Sequence, residues 1–249
     1  MGIKHFAVKA SGEKGLASEW NADHTISTDL MARRSTTLIV AAVDSLDQGR
    51  ADYLCDGIAD EIQINAALLA ASAKKGTVIL LEGTYTLADF IDMKDDTTLE
   101  GVGWGSIIKV QMASISYAIS PGIRSTLRNL KIENVTIGDW IFRDVAYSRF
   151  TWQKIWFSGF GGPWYGGTAN TNCWMIDNYI SAGVVNSDFW FSYDWTECIV
   201  RGNIFDLTSG ECFHVDGTFK DSIFTNNIYK GCTTYFDTST NSITTGNIS

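Results

Sequence analysis

TLRNLKIE (126–133), RFTWQKIW (149–156), CWMIDNYI (173–180), CIVRGNIF (198–205), SIFTNNIY (222–229) and SITTGNIS (242–249) are one short phrase written six times. Aligned on Ile132, Ile155, Tyr179, Ile204, Ile228 and Ile248, the copies step by 23, 24, 25, 24 and 20 residues. A second apolar column precedes the anchor by five positions, at Leu127, Phe150, Trp174, Ile199, Ile223 and Ile243. Asn178, Asn203, Asn227 and Asn247 stand just before the anchor in the last four copies. A period in the low twenties, made of short strands and turn residues, predicts one coil of a right-handed parallel β-helix. Such coils cannot bury their apolar face singly, so they stack at the inter-strand spacing of about 4.8 Å. Leucine-rich repeats share the period but need a Leu lattice, which is absent. The Asn column fits stacking too: amides donate and accept along the stack, and Asn tolerates a left-handed turn.

The 249 residues suffice for one solenoid, and 45% of them are hydrophobic, enough for a core. A net charge of -9 argues against tracking nucleic-acid phosphates or an anionic membrane. No apolar run is long enough to cross a bilayer, and MGIKHFAVKASGEKG (1–15) lacks the apolar segment of a secretory signal. The expectation is a protein that stays where it is made or leaves by lysis. The five cysteines, Cys55, Cys173, Cys198, Cys212 and Cys232, form no CxxC pair. Cys173 and Cys198 share a column that Ser222 and Ser242 continue, which reads as a ladder of small buried side chains, with a disulfide as the alternative. The nine tryptophans raise a different question: Trp140, Trp152, Trp156, Trp164, Trp190 and Trp195 exceed what a narrow interior holds, so some are expected to face water.

Residues 1–36 are polar and weakly periodic and read as an arm or linker, followed by the solenoid over 37–249. TLIVAAVDS (37–45) is an apolar strand and turn. Asp60 then stands as an N-cap before a helix over about 60–74, with Ile62, Ile64, Ala67, Leu68 and Ala71 on its apolar face and Gly76 at its stop.

This region resembles the N-terminal module of the pectin-lyase-like β-helix superfamily, in the branch of phage tailspikes and preneck appendages. The matching residues are Asp56-Gly57, Asp60-Glu61, Ile64 with Ala66-Ala67-Leu68, Gly76-Thr77-Val78, and Glu82-Gly83-Thr84-Tyr85. Thr98-Leu99-Glu100-Gly101-Val102-Gly103 and Ser106-Ile107-Ile108 extend the match as a first full coil. GLASEWNADHTI (15–26) also resembles leader segments of phage tail proteins. The resemblance implies a helix capping the solenoid's N-terminal end, homotrimeric assembly and a virion or extracellular setting. For activity it leaves lyases, hydrolases, epimerases and non-catalytic binders open. The chain stops at Ser249 in mid-coil, which reads as a piece of a longer protein or as an end that another chain covers.

Each coil carries a further strand: WIFRD from Trp140, PWYGG from Pro163, DFWFSYD from Asp188, ECFHVDG from Glu211 and YFDTS from Tyr235. Their face collects Arg143, Asp144, Trp164, Tyr165, Trp190, Tyr193, Asp194, Glu211, His214, Asp216 and Asp237. Glycoside hydrolysis needs two carboxylates flanking the bond, one as acid and one as base or nucleophile. Asp194, Asp216 and Asp237, on successive coils, and His214, two residues from Asp216, are the catalytic candidates, against a reading as ordinary exposed acids beside turns. Trp140, Trp164, Tyr165, Trp190, Tyr193, Arg201 and Glu211 are the substrate-binding candidates. Elimination instead calls for a base and a neutraliser of the uronate, for which Arg201, Lys154 and calcium on Asp194 or Asp216 are available. The run SGFGGPWYGG (158–167) reads equally as an aromatic-presenting loop or a wide turn. The leading expectation is a virion-associated polysaccharide binder or depolymerase; the alternative is a structural trimerisation shaft whose exposed aromatics are interface.

Overall fold

The computed structural model describes residues 37–111, 117–134, 140–142, 148–160, 169–182, 190–191, 194–207 and 211–248. The expected arm over 1–36 lies outside them. The described strands form four sheets in which every pairing is parallel, and the chain passes from sheet to sheet and returns one coil further on. Sheet I has ten strands: Tyr53–Leu54, Thr37–Ala41, Thr77–Leu80, Thr98–Gly101, Thr126–Arg128, Thr151–Gln153, Trp174–Ile176, Ile199–Arg201, Ile223–Thr225 and Ile243–Thr245. Sheet II has seven: Gly83–Leu87, Ser106–Val110, Lys131–Asn134, Trp156–Phe160, Tyr179–Ala182, Ile204–Asp206 and Ile228–Lys230. Sheet III joins Ile91–Asp92, Tyr117–Ser120 and Trp140–Phe142. Sheet IV joins Ala169–Thr171, Asp194–Thr196, Glu211–Lys220 and Trp190–Phe191, with Thr233–Thr240 paired to Glu211–Lys220. The molecule is a parallel β-solenoid.

The core is a set of columns. In sheet I, Leu99, Leu127, Trp152, Met175, Val200 and Phe224 pair strand to strand and point inward. In sheet II the inward column is Tyr85, Ile108, Ile132, Phe157, Ile180, Phe205 and Tyr229. Two of the tryptophans counted as surplus are core: Trp152 and Trp195 are both buried and meet edge to face at 6.0 Å and 83°.

This register corrects the alignment read from sequence. Leu127 pairs with Trp152, whereas Trp174 pairs with Thr151, and Ile199, Ile223 and Ile243 continue that outward column. Ile132 likewise pairs with Phe157 inside, while Tyr179, Ile204 and Ile228 continue the outer column of Lys131 and Trp156. Side chains alternate faces along a strand, so a slip of one residue exchanges inside for outside.

The Asn column forms a continuous ladder. The Asn178 amide N–H and Nδ2 both donate to Asn203 Oδ1, at 3.0 and 2.9 Å, and Asn203 donates likewise to Asn227 Oδ1, at 2.9 and 2.9 Å. Asn227 donates to Asn247 Oδ1 at 3.0 and 3.2 Å. The left-handed backbone, however, belongs to the residue before each ladder position: Asp177, Gly202, Asn226 and Gly246 before the four Asn, and Asn129 and Lys154 before Leu130 and Ile155 in the earlier coils, have φ between 54° and 69°. That residue turns the corner, which leaves the ladder amide free to point inward. A second left-handed column, Asp96, Arg124, Arg149, Asn172, Glu197, Asp221 and Asn241, precedes the Cys/Ser column. There the Cys173 N–H donates to Cys198 Sγ at 3.4 Å, and the Cys198 N–H to Ser222 Oγ at 3.0 Å. Cys173 and Cys198 are free buried thiols, and burial pushes the Cys198 thiol up, so it stays protonated.

The helix runs Glu61–Ser72. It buries Ile64, Ala67, Leu68 and Ala71, but Ile62 is exposed, contrary to the expected apolar face. Asp60 occupies the N-cap position without capping through its side chain. Its buried carboxylate instead accepts the Gly57 N–H at 2.8 Å and the Thr86 N–H at 2.7 Å. Glu61 Oε2 accepts the Ala88 N–H at 3.0 Å, and Asn65 bonds the Phe90 carbonyl and the Asp92 N–H at 3.0 and 2.8 Å. These side chains thus satisfy backbone groups along Gly83–Leu87 and Ile91–Asp92, the terminal strands of sheets II and III. At the helix end the left-handed residue is Lys75, and the Gly76 N–H returns to the Ala71 carbonyl at 3.0 Å.

Candidate functional site

Sheet IV carries the acids singled out in the sequence. Trp195 lies opposite Phe219, His214 opposite Tyr235 and Thr218 opposite Thr238, so strands of three successive coils are hydrogen-bonded neighbours. The register shifts between Val215 and Thr218, and Asp216 and Asp237 both fall in that irregular stretch on adjacent strands. Asp194 stands further along: it is exposed, and its Oδ1 accepts the Thr218 N–H at 2.7 Å. The backbone therefore brings Asp216 to Asp237, and Asp194 to Thr218.

His214 also pairs with Trp190, and Glu211 lies opposite Thr233. Trp140 pairs with Tyr117 in sheet III. Arg201 is exposed on sheet I between Ile176 and Thr225, on a different sheet from the acids. Trp164, Tyr165, Tyr193, Arg143 and Asp144 lie outside the described residues, as do the side chains of Trp140, Trp190, Glu211, His214, Asp216 and Asp237. Among the described residues no group of three or more His, Cys, Asp or Glu could hold a metal ion. Calcium takes about six to eight oxygens, and Asp194, with one oxygen on the Thr218 amide, does not make such a site by itself.

The outer face of sheet II holds an aromatic cluster absent from the sequence-predicted site. Trp104 leaves the loop between Thr98–Gly101 and Ser106–Val110, is 50% exposed, and donates its Nε1–H to the Lys154 carbonyl at 3.3 Å. Its ring lies 5.5 Å from that of Trp156 and 6.5 Å from that of Tyr179, the latter stacked at 28°. Trp156 and Tyr179 are register neighbours with rings 6.0 Å apart. Lys131, the next residue in the column, sets its Nζ 4.4 Å over the Trp156 ring and 3.3 Å from Glu133 Oε1.

The polar edges of this cluster are occupied. Trp156 Nε1–H donates to Ser181 Oγ at 2.9 Å, and the Tyr179 hydroxyl donates to Asp206 Oδ2 at 2.9 Å, where Lys230 Nζ also lies at 3.3 Å. The Tyr179 hydrogen bond holds the Asp206 carboxyl below the usual carboxylate range, and the same bond raises the Tyr179 phenol. The result is a half-exposed aromatic surface flanked by two ion pairs. The sequence signal for it is the outward column Lys131, Trp156, Tyr179, which appears once the register is correct.

No protein-family model matches the chain, and no curated protein matches it in sequence. Among solved structures, it is similar to the A-module of the Azotobacter vinelandii mannuronan C-5 epimerase AlgE4 at 19% identity and a TM-score of 0.50, covering 75% of this chain and 55% of that one. The chain thus spans about half the length of that module. The AlgE6 A-module of the same organism aligns at 12% identity and a TM-score of 0.30, covering 78% of this chain and 95% of that one. A tailspike protein, gp49 of Acinetobacter baumannii bacteriophage Fri1, described as a capsular polysaccharide depolymerase, aligns at 12% identity and a TM-score of 0.35, covering 85% and 58%. The likeness to the AlgE4 module agrees with the parallel β-solenoid seen here.

Proposed function

We propose that this chain is a right-handed β-helix, capped at its N-terminal end by the helix Glu61–Ser72, that binds a polysaccharide and hydrolyses it from sheet IV. We place it on a virion appendage or otherwise outside the cell, as the sequence resemblance implies. The observation that carries the reading is the register of sheet IV, in which strands bearing Asp194, His214 with Asp216, and Asp237 follow one another as paired neighbours. Neighbouring strands lie about 4.8 Å apart, close to the roughly 5–5.5 Å between the carboxyls of retaining glycosidases, and a two-coil separation approaches the inverting range. Asp216 and Asp237 are accordingly the pair for acid and nucleophile or base, with His214 beside them as a proton carrier. An open parallel ridge suits a polymer that runs across several coils. A mannuronan epimerase module similar in fold supports a chain-like carbohydrate as the substrate class.

A second reading, assembly, is favoured by a separate observation. The outward column of sheet I ends in Trp174, Ile223 and Ile243, which are 45%, 36% and 53% exposed, and a homotrimer would cover them.

The test is product release from a panel of bacterial, algal and plant polysaccharides, scored for reducing ends and for the ultraviolet absorbance of unsaturated uronates, with and without calcium. Hydrolysis predicts reducing ends without the chromophore, and a fall of about 10²-fold or more in Asp216→Asn and Asp237→Asn. A calcium-dependent chromophore replaces hydrolysis with elimination and moves attention to Arg201. Turnover unchanged in both variants removes sheet IV as the site.

A further inference from the structure

We infer that the Trp104–Trp156–Tyr179 cluster on the outer face of sheet II is a glycan-binding site separate from sheet IV, and that it takes an uncharged pyranose residue. The inference rests on the polysaccharide reading for its ligand class and on the cluster's own geometry for its place and selectivity. The indole N–H groups of Trp104 and Trp156 are already bonded, to the Lys154 carbonyl and Ser181 Oγ. The rings are therefore fixed at their polar edges, and what Trp104 offers to solvent, at 50% exposure, is apolar ring surface. A fixed aromatic face is the complement of the C–H face of a pyranose, whose hydroxyls then lie at the ring's rim.

Polar groups stand at that rim. Ser181 lies beneath Trp156, Asp206 and Lys230 lie beyond Tyr179, and Lys131 with Glu133 lies on the other side. The charges flanking Trp156 and Tyr179 are paired within 3.3 Å: Lys131 with Glu133, and Lys230 with Asp206. A uronate or an amino sugar would have to displace one member of a pair, whereas neutral hydroxyls can donate to and accept from both. The rings also step along the solenoid axis: Trp156 and Tyr179 belong to adjacent coils, and Trp104 reaches the turn at Lys154, where its ring stacks on Tyr179 and lies tilted at 58° against Trp156. The platform thus lies along the solenoid, the direction in which an extended glycan can continue.

The experiment is electrophoresis of the full chain through gels containing dextran, laminarin or galactomannan, and through gels containing alginate or polygalacturonate. Retardation is expected in at least one neutral gel. Trp104→Leu, which keeps an apolar side chain but no ring, is expected to weaken it about tenfold in apparent Kd, while Trp104→Tyr retains it. Circular dichroism and thermal melting of both variants separate loss of the ring face from loss of fold. Neutral-gel retardation that Trp104→Leu leaves intact overturns the site while the polysaccharide reading stands. Retardation in the anionic gels alone, or in none, also overturns it. Asp216→Asn retarded like the wild type but releasing no product supports two separate sites, and product release by a wild type that no neutral gel retards leaves sheet IV standing by itself.

Discussion

Asp96 shows how one residue of a repeated turn can carry a measurable pH dependence. It sits in the left-handed column at φ 58°, directly before the next coil's Arg124, which also has φ 58°. Arg124 Nη2 donates to Asp96 Oδ2 at 2.8 Å, and Lys75 Nζ approaches the same carboxylate at 3.3 Å. The Arg124 hydrogen bond holds the Asp96 carboxyl well below the usual carboxylate range. A depressed carboxylate contributes stability that is present above its unfolded pKa, about 3.9, and is lost as pH falls through the folded value. The wild type should therefore melt at progressively lower temperature below about pH 4, and Arg124→Gln should flatten that acid slope by melting somewhat lower at pH 7, the two proteins converging in acid. Because the pair is exposed, added salt should shrink the difference. Melting curves taken from neutral to acid pH check this, and equal acid slopes in the two proteins rule the pair out as the source. Trp104 stands at the opposite extreme of legibility. Nothing local marks it, because its role depends on a hydrogen bond fifty residues away in sequence, to Lys154, and on rings two and three coils further on.

The Asn ladder is the element that couples one coil to the next, and its energetics follow from burial. Asn203 is fully buried; it accepts two bonds from Asn178 and donates to Asn227 Oδ1 and to the Met175 carbonyl. Asn203→Ala removes the acceptor of the Asn178 N–H and of one Asn178 Nδ2 bond, Nδ2 keeping the Trp152 carbonyl, together with a donor to the Met175 carbonyl and one to Asn227 Oδ1, at a cost of about 2–4 kcal/mol. Asn247 likewise accepts two bonds from Asn227 and donates to the Phe224 carbonyl, but it is half-buried, so water can replace part of what is lost and Asn247→Ala should cost roughly half as much. Urea denaturation of both variants tests the ordering, and an Asn247 change as severe as that of Asn203 would contradict it. This ladder was legible in the sequence because Asn recurs at one position with little else competing for it. The face of the flanking strands was not. In CWMIDNYI both the inward Met175 and Ile180 and the outward Trp174 and Tyr179 are apolar, so alternation cannot identify the core. Outward residues of the later coils were consequently aligned with buried residues of the earlier ones, Trp174 with Leu127 and Tyr179 with Ile132. The sheet IV site was legible only as a set of strand positions: spacing assigned Asp194, Asp216 and Asp237 to successive coils, but not the register that sets Asp194 beside Thr218, two residues beyond Asp216, nor the shift after Val215 between the strands of Asp216 and Asp237.

At the scale of the whole molecule, the outer column of sheet I changes character along the axis. Thr37, Thr77, Thr98, Thr126 and Thr151 pair in register, and the same column then continues as Trp174, Ile199, Ile223 and Ile243. Threonine suits a strand face that meets water, since its branched carbon favours the extended backbone and its hydroxyl is solvated. Four consecutive large apolar side chains at the inter-strand spacing of about 4.8 Å instead form a ridge along the axis. A second copy of the chain carries the same ridge at the same spacing, so its side chains can interleave row by row. This is the physical content of the assembly reading. Under it, the protein sediments as an oligomer, and Ile223→Glu combined with Ile243→Glu yields a monomer. Because both positions are exposed, the core ladders and the thermal transition of the separate chain should be preserved. Sedimentation equilibrium over a hundredfold range of concentration is the measurement. A wild type that is monomeric throughout, or a double variant with unchanged mass, removes this column as the interface and leaves the ridge available to a different ligand.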